Sequence, residues 1–211
     1  MIKQIDPSEL PLAVEVIRTS FATVAKDLGL TEQNCPKYVG FVTSTERLQT
    51  QYDWGWWQYG LYDCNDAQCI SAGETLSTSD NPLCKSSQAT LSTSDNPLCK
   101  TPQATLHENC TQPATRPPLL GYVSISKEAD GAYEINNLAV LPEHRHKGYG
   151  EQLLDFCITK ITESGGNRVN ISITEENTVL KNWYLSYGFI HTGTKRFEHL
   201  LFTVGYMKLE V

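Results

Sequence analysis

Residues 137–154 read NLAVLPEHRHKGYGEQLL. Leu138 to Leu141 is apolar and suits a strand, which stops at Pro142 because proline has no N–H for a ladder. A basic, glycine-rich loop follows. From Gly150 onward Leu153, Leu154, Cys157, Ile158 and Ile161 fall on one helical face, closed by Gly165-Gly166. A strand that turns directly into a helix aims the helix's unpaired amides at whatever occupies the turn, so the spacing predicts an anion site. Gly148 and Gly150 remove side chains where a pyrophosphate needs the backbone close, and Arg145, His146 and Lys147 add positive character. Two rival phosphate motifs do not fit: the third glycine of the dinucleotide fingerprint is missing, and there is no GKS or GKT.

The elements on either side follow from periodicity. Residues 121–126 alternate as a strand, 129–131 form a turn and 133–141 a second strand, together an antiparallel hairpin. After the central helix come a strand at 169–174, a helix at 178–187 ended by Gly188, and two strands at 189–197 and 201–209. Near the start, Asp6-Pro7-Ser8-Glu9 has the form of a capping box. Leu10, Val14, Ile17, Phe21, Val24 and Leu28 then mark an amphipathic helix ending at Gly29. Residues 35–51 read as a second, weaker helical region, and Trp54, Trp56, Trp57 and Tyr59 lead into a short strand, YGLYD. The order predicts an α/β fold with a central mixed, mostly antiparallel sheet flanked by helices.

One segment interrupts that order. LSTSDNPLCK occupies 76–85 and recurs without change at 91–100, which points to a tandem duplication rather than a solenoid. Each unit carries too few apolar groups to offset a backbone ordering cost of about 1–2 kcal/mol per residue. Residues 64–117 are therefore expected to be a long polar, low-complexity insertion within one domain spanning 1–211.

Composition narrows the partners. The 211 residues carry 24 acidic and 17 basic side chains, a formal charge of -7, which argues against a nucleic-acid partner held by phosphate neutralisation. MIKQIDPSEL has no apolar leader core and no later run suits a membrane span, so a soluble cytoplasmic protein is expected. The seven cysteines are odd in number and lack paired C-x-x-C spacing; they read as free thiols, and no metal site is expected. A homodimer is left open.

The sequence resembles the GNAT superfamily of acetyl-CoA-dependent N-acetyltransferases. Arg145-His-Lys-Gly148-Tyr-Gly150 is similar to its R/Q-x-x-G-x-G/A loop and Leu138-Ala-Val140 to the strand before it. Asn177 through Tyr184 to Gly188-Phe189 is similar to its N…LY…GF helix. The resemblance implies a GNAT-like fold with the insertion between its second and third strands. It also implies that the main chain of Leu138, Ala139 and Val140 binds the pantetheine arm. Arg145 belongs to the same loop, whose amides from His146 through Lys147, Gly148, Tyr149 and Gly150 to Glu151 hold the pyrophosphate. Asn177 then orients acetyl-CoA near its thioester, and Tyr184 serves as general acid toward the departing thiolate. Glu134, in EINNLAV, sits where the histone acetyltransferase branch has its catalytic glutamate, and it is the base candidate.

The chemistry constrains those roles. An alkylammonium with a pKa of about 10.4 cannot attack a thioester at pH 7 until it loses a proton, so a base or a water chain is required. Simple alternation places Glu134, Asn136, Leu138 and Val140 on one face of their strand. A phenol protonating a thiolate is uphill by about 2 kcal/mol, so hydrogen bonding without full transfer suffices for Tyr184. His144 and His146 flank the loop; His199 and the Trp54–Trp57 cluster lie where this family shapes its acceptor pocket. The expected activity is acetyl transfer to a primary amine of a small molecule or peptide by direct attack in a ternary complex, and the acidic surface favours a cationic acceptor. The alternative from another class is a catalytically inactive acyl-CoA-binding regulatory protein.

Overall fold

The computed structural model describes residues 1–63 and 117–211. The expectations placed on 64–116, including the repeat and Cys64, Cys69, Cys84, Cys99 and Cys110, lie outside the described residues. Among the described residues seven strands form one sheet: β1 (Ile2–Gln4), β2 (Trp57–Tyr62), β3 (Leu119–Lys127), β4 (Tyr133–Val140), β5 (Arg168–Thr174), β6 (Ile190–Arg196) and β7 (Thr203–Glu210). Their order is β1-β2-β3-β4-β5-β7-β6, antiparallel throughout the described residues except for the parallel pair β4–β5. The sequence order thus folds as expected, with one addition: β1, three residues with a single apolar side chain, gave no periodic signal.

Helices cover both faces. Helix α1 (Leu10–Asp27) starts from the expected capping box, Asp6 Oδ1 accepting from Ser8 N at 2.9 Å and Glu9 Oε2 accepting from Asp6 N at 3.2 Å. Glu9, itself buried, also accepts from the Tyr62 hydroxyl at 3.1 Å, so the cap ties the helix start to the end of β2. The face that α1 lays on the sheet is Leu10, Ala13, Val16, Ile17 and Ser20. Small Ala13 and Ser20 let the helix approach closely, and Val14, Phe21, Val24 and Leu28 of the expected stripe are only half-buried. The weaker helical region resolves into two short helices, α2 (Val39–Val42) and α3 (Thr45–Asp53), whose Leu48 joins α1 against Tyr62, Leu119, Tyr122 and Ala139. On the opposite face α4 (Tyr149–Glu163) buries Leu153, Leu154, Cys157 and Ile161 against Val123, Ile125 and Ile171, joined by α5 (Thr178–Tyr187) through Tyr184. Cys35 and Cys157 are buried free thiols. No helix among the described residues is long and apolar enough to cross a membrane.

The ends of the described residues on either side of 64–116 meet in a hairpin. Tyr62 pairs with Leu119 and Asp63 N donates to Pro118 O at 3.0 Å, so β2 and β3 stand at the separation a short antiparallel turn bridges. Replacing 64–116 with a four-residue Gly-containing turn is expected to leave a cooperatively folding protein, with a melting temperature within a few degrees of the full chain. Loss of the cooperative transition would show that the segment supplies core.

The largest departure from the sequence reading is in β4. Asn137 has φ 54°, and the β3–β4 register shifts between Tyr122 and Ser124, so β4 carries a bulge there. Asparagine tolerates this left-handed conformation better than most residues. The bulge reverses the alternation. Tyr133, Ile135, Leu138 and Val140 pack with the α4 side, whereas Ala139 packs under α1. Glu134 and Asn136 therefore do not share a face with Leu138 and Val140. Strict alternation failed because one extra residue flips every side chain beyond it.

Candidate active site

β4 and β5 pair at Tyr133–Val169 and Glu134–Asn170 and then part, although both strands continue. A bulge bends its strand, and this one stands just past the last paired residue. The gap leads into a cavity of about 290 Å³. Ile135, Asn137 and Leu138 of β4 and Ile171 to Thr174 of β5 line its walls, and Asn177, Leu180 and Tyr184 close one end. At the other end stand Phe21 and Val24 of α1, Tyr38 and Val39, and Phe202 and Val204 around β7. Lys37 lies there too. Among the described residues no carboxylate or histidine lines this cavity.

The loop after β4 is shaped as an anion cradle. His146 and Gly148 are both left-handed, at φ 60° and 79°, and Gly148 precedes α4 with no side-chain cap on the helix. Alternation of left-handed and ordinary residues turns successive N–H groups toward one point, where the helix's own first amides also aim. Arg145 is placed otherwise than its motif suggests. Its guanidinium donates to Val140 O at 3.1 Å, Thr23 Oγ1 at 3.0 Å and Ser20 O at 2.8 Å, so it fastens the loop to α1 and β4 instead of facing the turn. His146 and Lys147 are exposed on the loop, as is Glu151 in the first turn of α4. Tyr149 packs against the core.

The two glycines of the loop differ in kind. A Cβ on Gly148 would meet open space but would force a side-chain-bearing residue into the left-handed region, at about 1–2 kcal/mol. A Cβ on Gly150 would touch only the Trp183 ring at 3.8 Å, an ordinary contact. Gly148→Ala is therefore expected to lower thermal stability and weaken CoA binding about tenfold. Gly150→Ala is expected to keep the stability of the parent chain. Thermal melts and a CoA titration of both variants check this.

Asn177 is the N-cap of α5, its Oδ1 accepting from Leu180 N at 3.1 Å, and it also lines the cavity. Glu175 pairs with Lys181 and with His191 Nε2 at 3.0 Å, fastening the start of α5 to β6; the Lys181 bond first, and His191 after it, hold the Glu175 carboxyl below its usual range. His191 is thus explained by structure. Tyr184 is buried among Trp183 and Phe189, with ring centroids at 4.7 and 5.3 Å, and reaches the cavity wall. Burial pushes its phenol well above the ordinary tyrosine range, with Cys157 adding to the effect.

Glu134 faces a second, more polar hollow of about 210 Å³, with Glu128, Asn170 and Ser172. Ser172 lines both hollows, and its hydroxyl donates to Glu134 Oε1 at 3.2 Å. Burial raises the Glu134 pKa above the usual glutamate value; the Ser172 bond opposes this, and the charge of Glu128 adds to it. His199 and the tryptophans stand outside the main cavity. Trp54 is 72% exposed, Trp57 packs on Tyr133 at 5.5 Å, and His199 lies beside Phe197. Sequence reading missed Lys37 and Tyr38, which wall the cavity from a region of weak periodicity, and Phe202, at the start of the expected last strand.

Residues 101–189 match the family model described as Acetyltransferase (GNAT) family. The seven-stranded sheet split between β4 and β5 agrees with the GNAT fold. Among solved structures it is similar to the PaiA N-acetyltransferase of Thermoplasma acidophilum in complex with coenzyme A, at 15% identity and a TM-score of 0.64, covering 100% of this chain and 98% of that one. It is also similar to the ribosomal-protein-S18-alanine N-acetyltransferase of Escherichia coli, at 14% identity and TM-score 0.56, covering 100% and 92%. A structure of yncA from Salmonella typhimurium with its cofactor acetyl-CoA matches at 14% identity and TM-score 0.56, again covering 100% and 92%.

Proposed function

We propose that the protein transfers an acetyl group from acetyl-CoA to a primary amine of a small molecule or peptide, by direct attack while both are bound, in the cytoplasm. The observation that carries this reading is the gap between β4 and β5, because a strand edge left without its ladder needs hydrogen-bonding partners, and a pantetheine arm supplies them along Leu138, Ala139 and Val140. The pyrophosphate rests on the amides from His146 to Glu151, where the left-handed loop and the uncapped start of α4 converge. Arg145 positions that loop through α1.

The acceptor enters the apolar end as its ammonium loses hydration, which lowers its pKa and favours the neutral, nucleophilic amine. Glu134 receives the proton through the Ser172 hydroxyl or a water beside it, since Ser172 borders both hollows. The amine nitrogen bonds to the thioester carbonyl carbon and sheds its second proton to water, the carbon–sulfur bond breaks, and the thiolate leaves. Tyr184 hydrogen-bonds that sulfur as a neutral phenol; its raised pKa disfavours complete proton donation and leaves the final proton to solvent. The amide of Asn177 orients the donor. Thiol release measured against a panel of primary amines tests the reading. Amine-dependent release of CoA with a matching acetylated product is expected, and binding of acetyl-CoA with no turnover on any amine would favour a regulatory protein instead.

A further inference from the structure

The acceptor end of the cavity differs from the protein's surface. The chain as a whole carries a formal charge of -7, yet among the described residues the cavity is lined by no carboxylate and by one cation, Lys37. Its wall is aromatic and fixed. The Tyr38 ring makes edge contacts with Phe21, Phe41 and Phe202 at 6.2, 5.5 and 5.9 Å, and its hydroxyl donates to Phe21 O at 3.1 Å. The polar tip of Tyr38 is therefore engaged by the protein, and carbon faces the occupant. Ala25, Leu30 and Cys35 pack behind this wall. A polyamine placed here would bring a second ammonium toward Lys37 with no carboxylate to neutralise it, which is unfavourable in a site of reduced dielectric.

We infer that the acceptor is a small amine whose body is apolar and about one ring in size, with a carboxylate at its far end held by Lys37. This rests on the acetyl-transfer reading and specifies its substrate class. The amine reaches the β4–β5 gap, the ring lies against Tyr38 and Phe202, and the carboxylate meets the ammonium of Lys37, which is exposed at that end. The cationic acceptor expected from net charge alone is replaced by a zwitterionic one, because the local lining and not the total charge sets the field at the pocket.

The test compares three probes with the full chain and acetyl-CoA: 4-(aminomethyl)benzoate, benzylamine, which lacks the acid, and spermidine. Thiol release should give the benzoate the highest kcat/KM, about tenfold or more above benzylamine, with spermidine lowest. In Lys37→Gln the ratio of the first two should collapse toward one, and in Lys37→Glu spermidine should gain. A spermidine or benzylamine preference, or a ratio unmoved by Lys37→Gln, would overturn the assignment while leaving acetyl transfer standing. Absence of thiol release with all three and with a wider amine panel would overturn both.

Discussion

Glu134→Gln is expected to lower kcat about 100-fold at pH 7 while making the protein slightly more stable. The rate effect follows from removing the group that accepts the amine proton, since general bases contribute at least about 10²-fold. The stability effect follows from the sign of the shift. Burial raises the Glu134 pKa, so the folded chain holds that carboxylate less willingly than the unfolded chain does. Its contribution to stability is unfavourable at neutral pH and is relieved as pH falls through the folded-state value toward the unfolded one. A neutral glutamine removes the penalty and can still accept from Ser172. For the same reason the acidic limb of the wild-type kcat/KM profile should lie above the ordinary glutamate range. Ser172→Ala should move that limb higher, because the Ser172 bond holds the pKa down. A structural glutamate would instead give a Gln variant with unchanged turnover and lower stability. The paired measurement of melting temperature and pH-rate profile separates the two.

Tyr184→Phe should cost about 10- to 100-fold in kcat with acetyl-CoA affinity within about twofold of the parent. A hydrogen bond to a developing thiolate is worth about 1.5–3 kcal/mol, present only as the carbon–sulfur bond breaks. The aromatic contacts to Trp183 and Phe189 survive the change, so the fold should not suffer. Loss of affinity equal to the loss of turnover would make Tyr184 a binding residue; full turnover would remove it from the reaction.

What the sequence made legible was local. The Asp6–Glu9 cap, the Gly148 turn and the α5 boundaries depend on neighbours within a few residues, and each appears where its spacing puts it. Contacts between distant segments were not legible. Arg145 reads as a phosphate-loop cation, yet its partners Ser20 and Thr23 lie in the first helix. Periodicity identified α1 but could not say that Phe21 and Val24 border a cavity while Ala13 and Ser20 meet the sheet, because hydrophobicity is blind to what a face opposes. The bulge at Asn137 was hidden for a related reason. A strand pattern is written with period two, and a left-handed asparagine inside it shifts the phase without altering the composition. The adjacent Asn136-Asn137 pair, unusual within a strand, was the available signal.

Acetyl transfer by this chain requires that the parted strands and the amide cradle beside them act as a coenzyme site. Titrating CoA into the full chain by calorimetry, with circular dichroism on the same sample to establish folding, tests this most directly. A saturable one-to-one heat that weakens in Gly148→Ala is the predicted result. A folded sample that gives no heat with CoA or acetyl-CoA would contradict it.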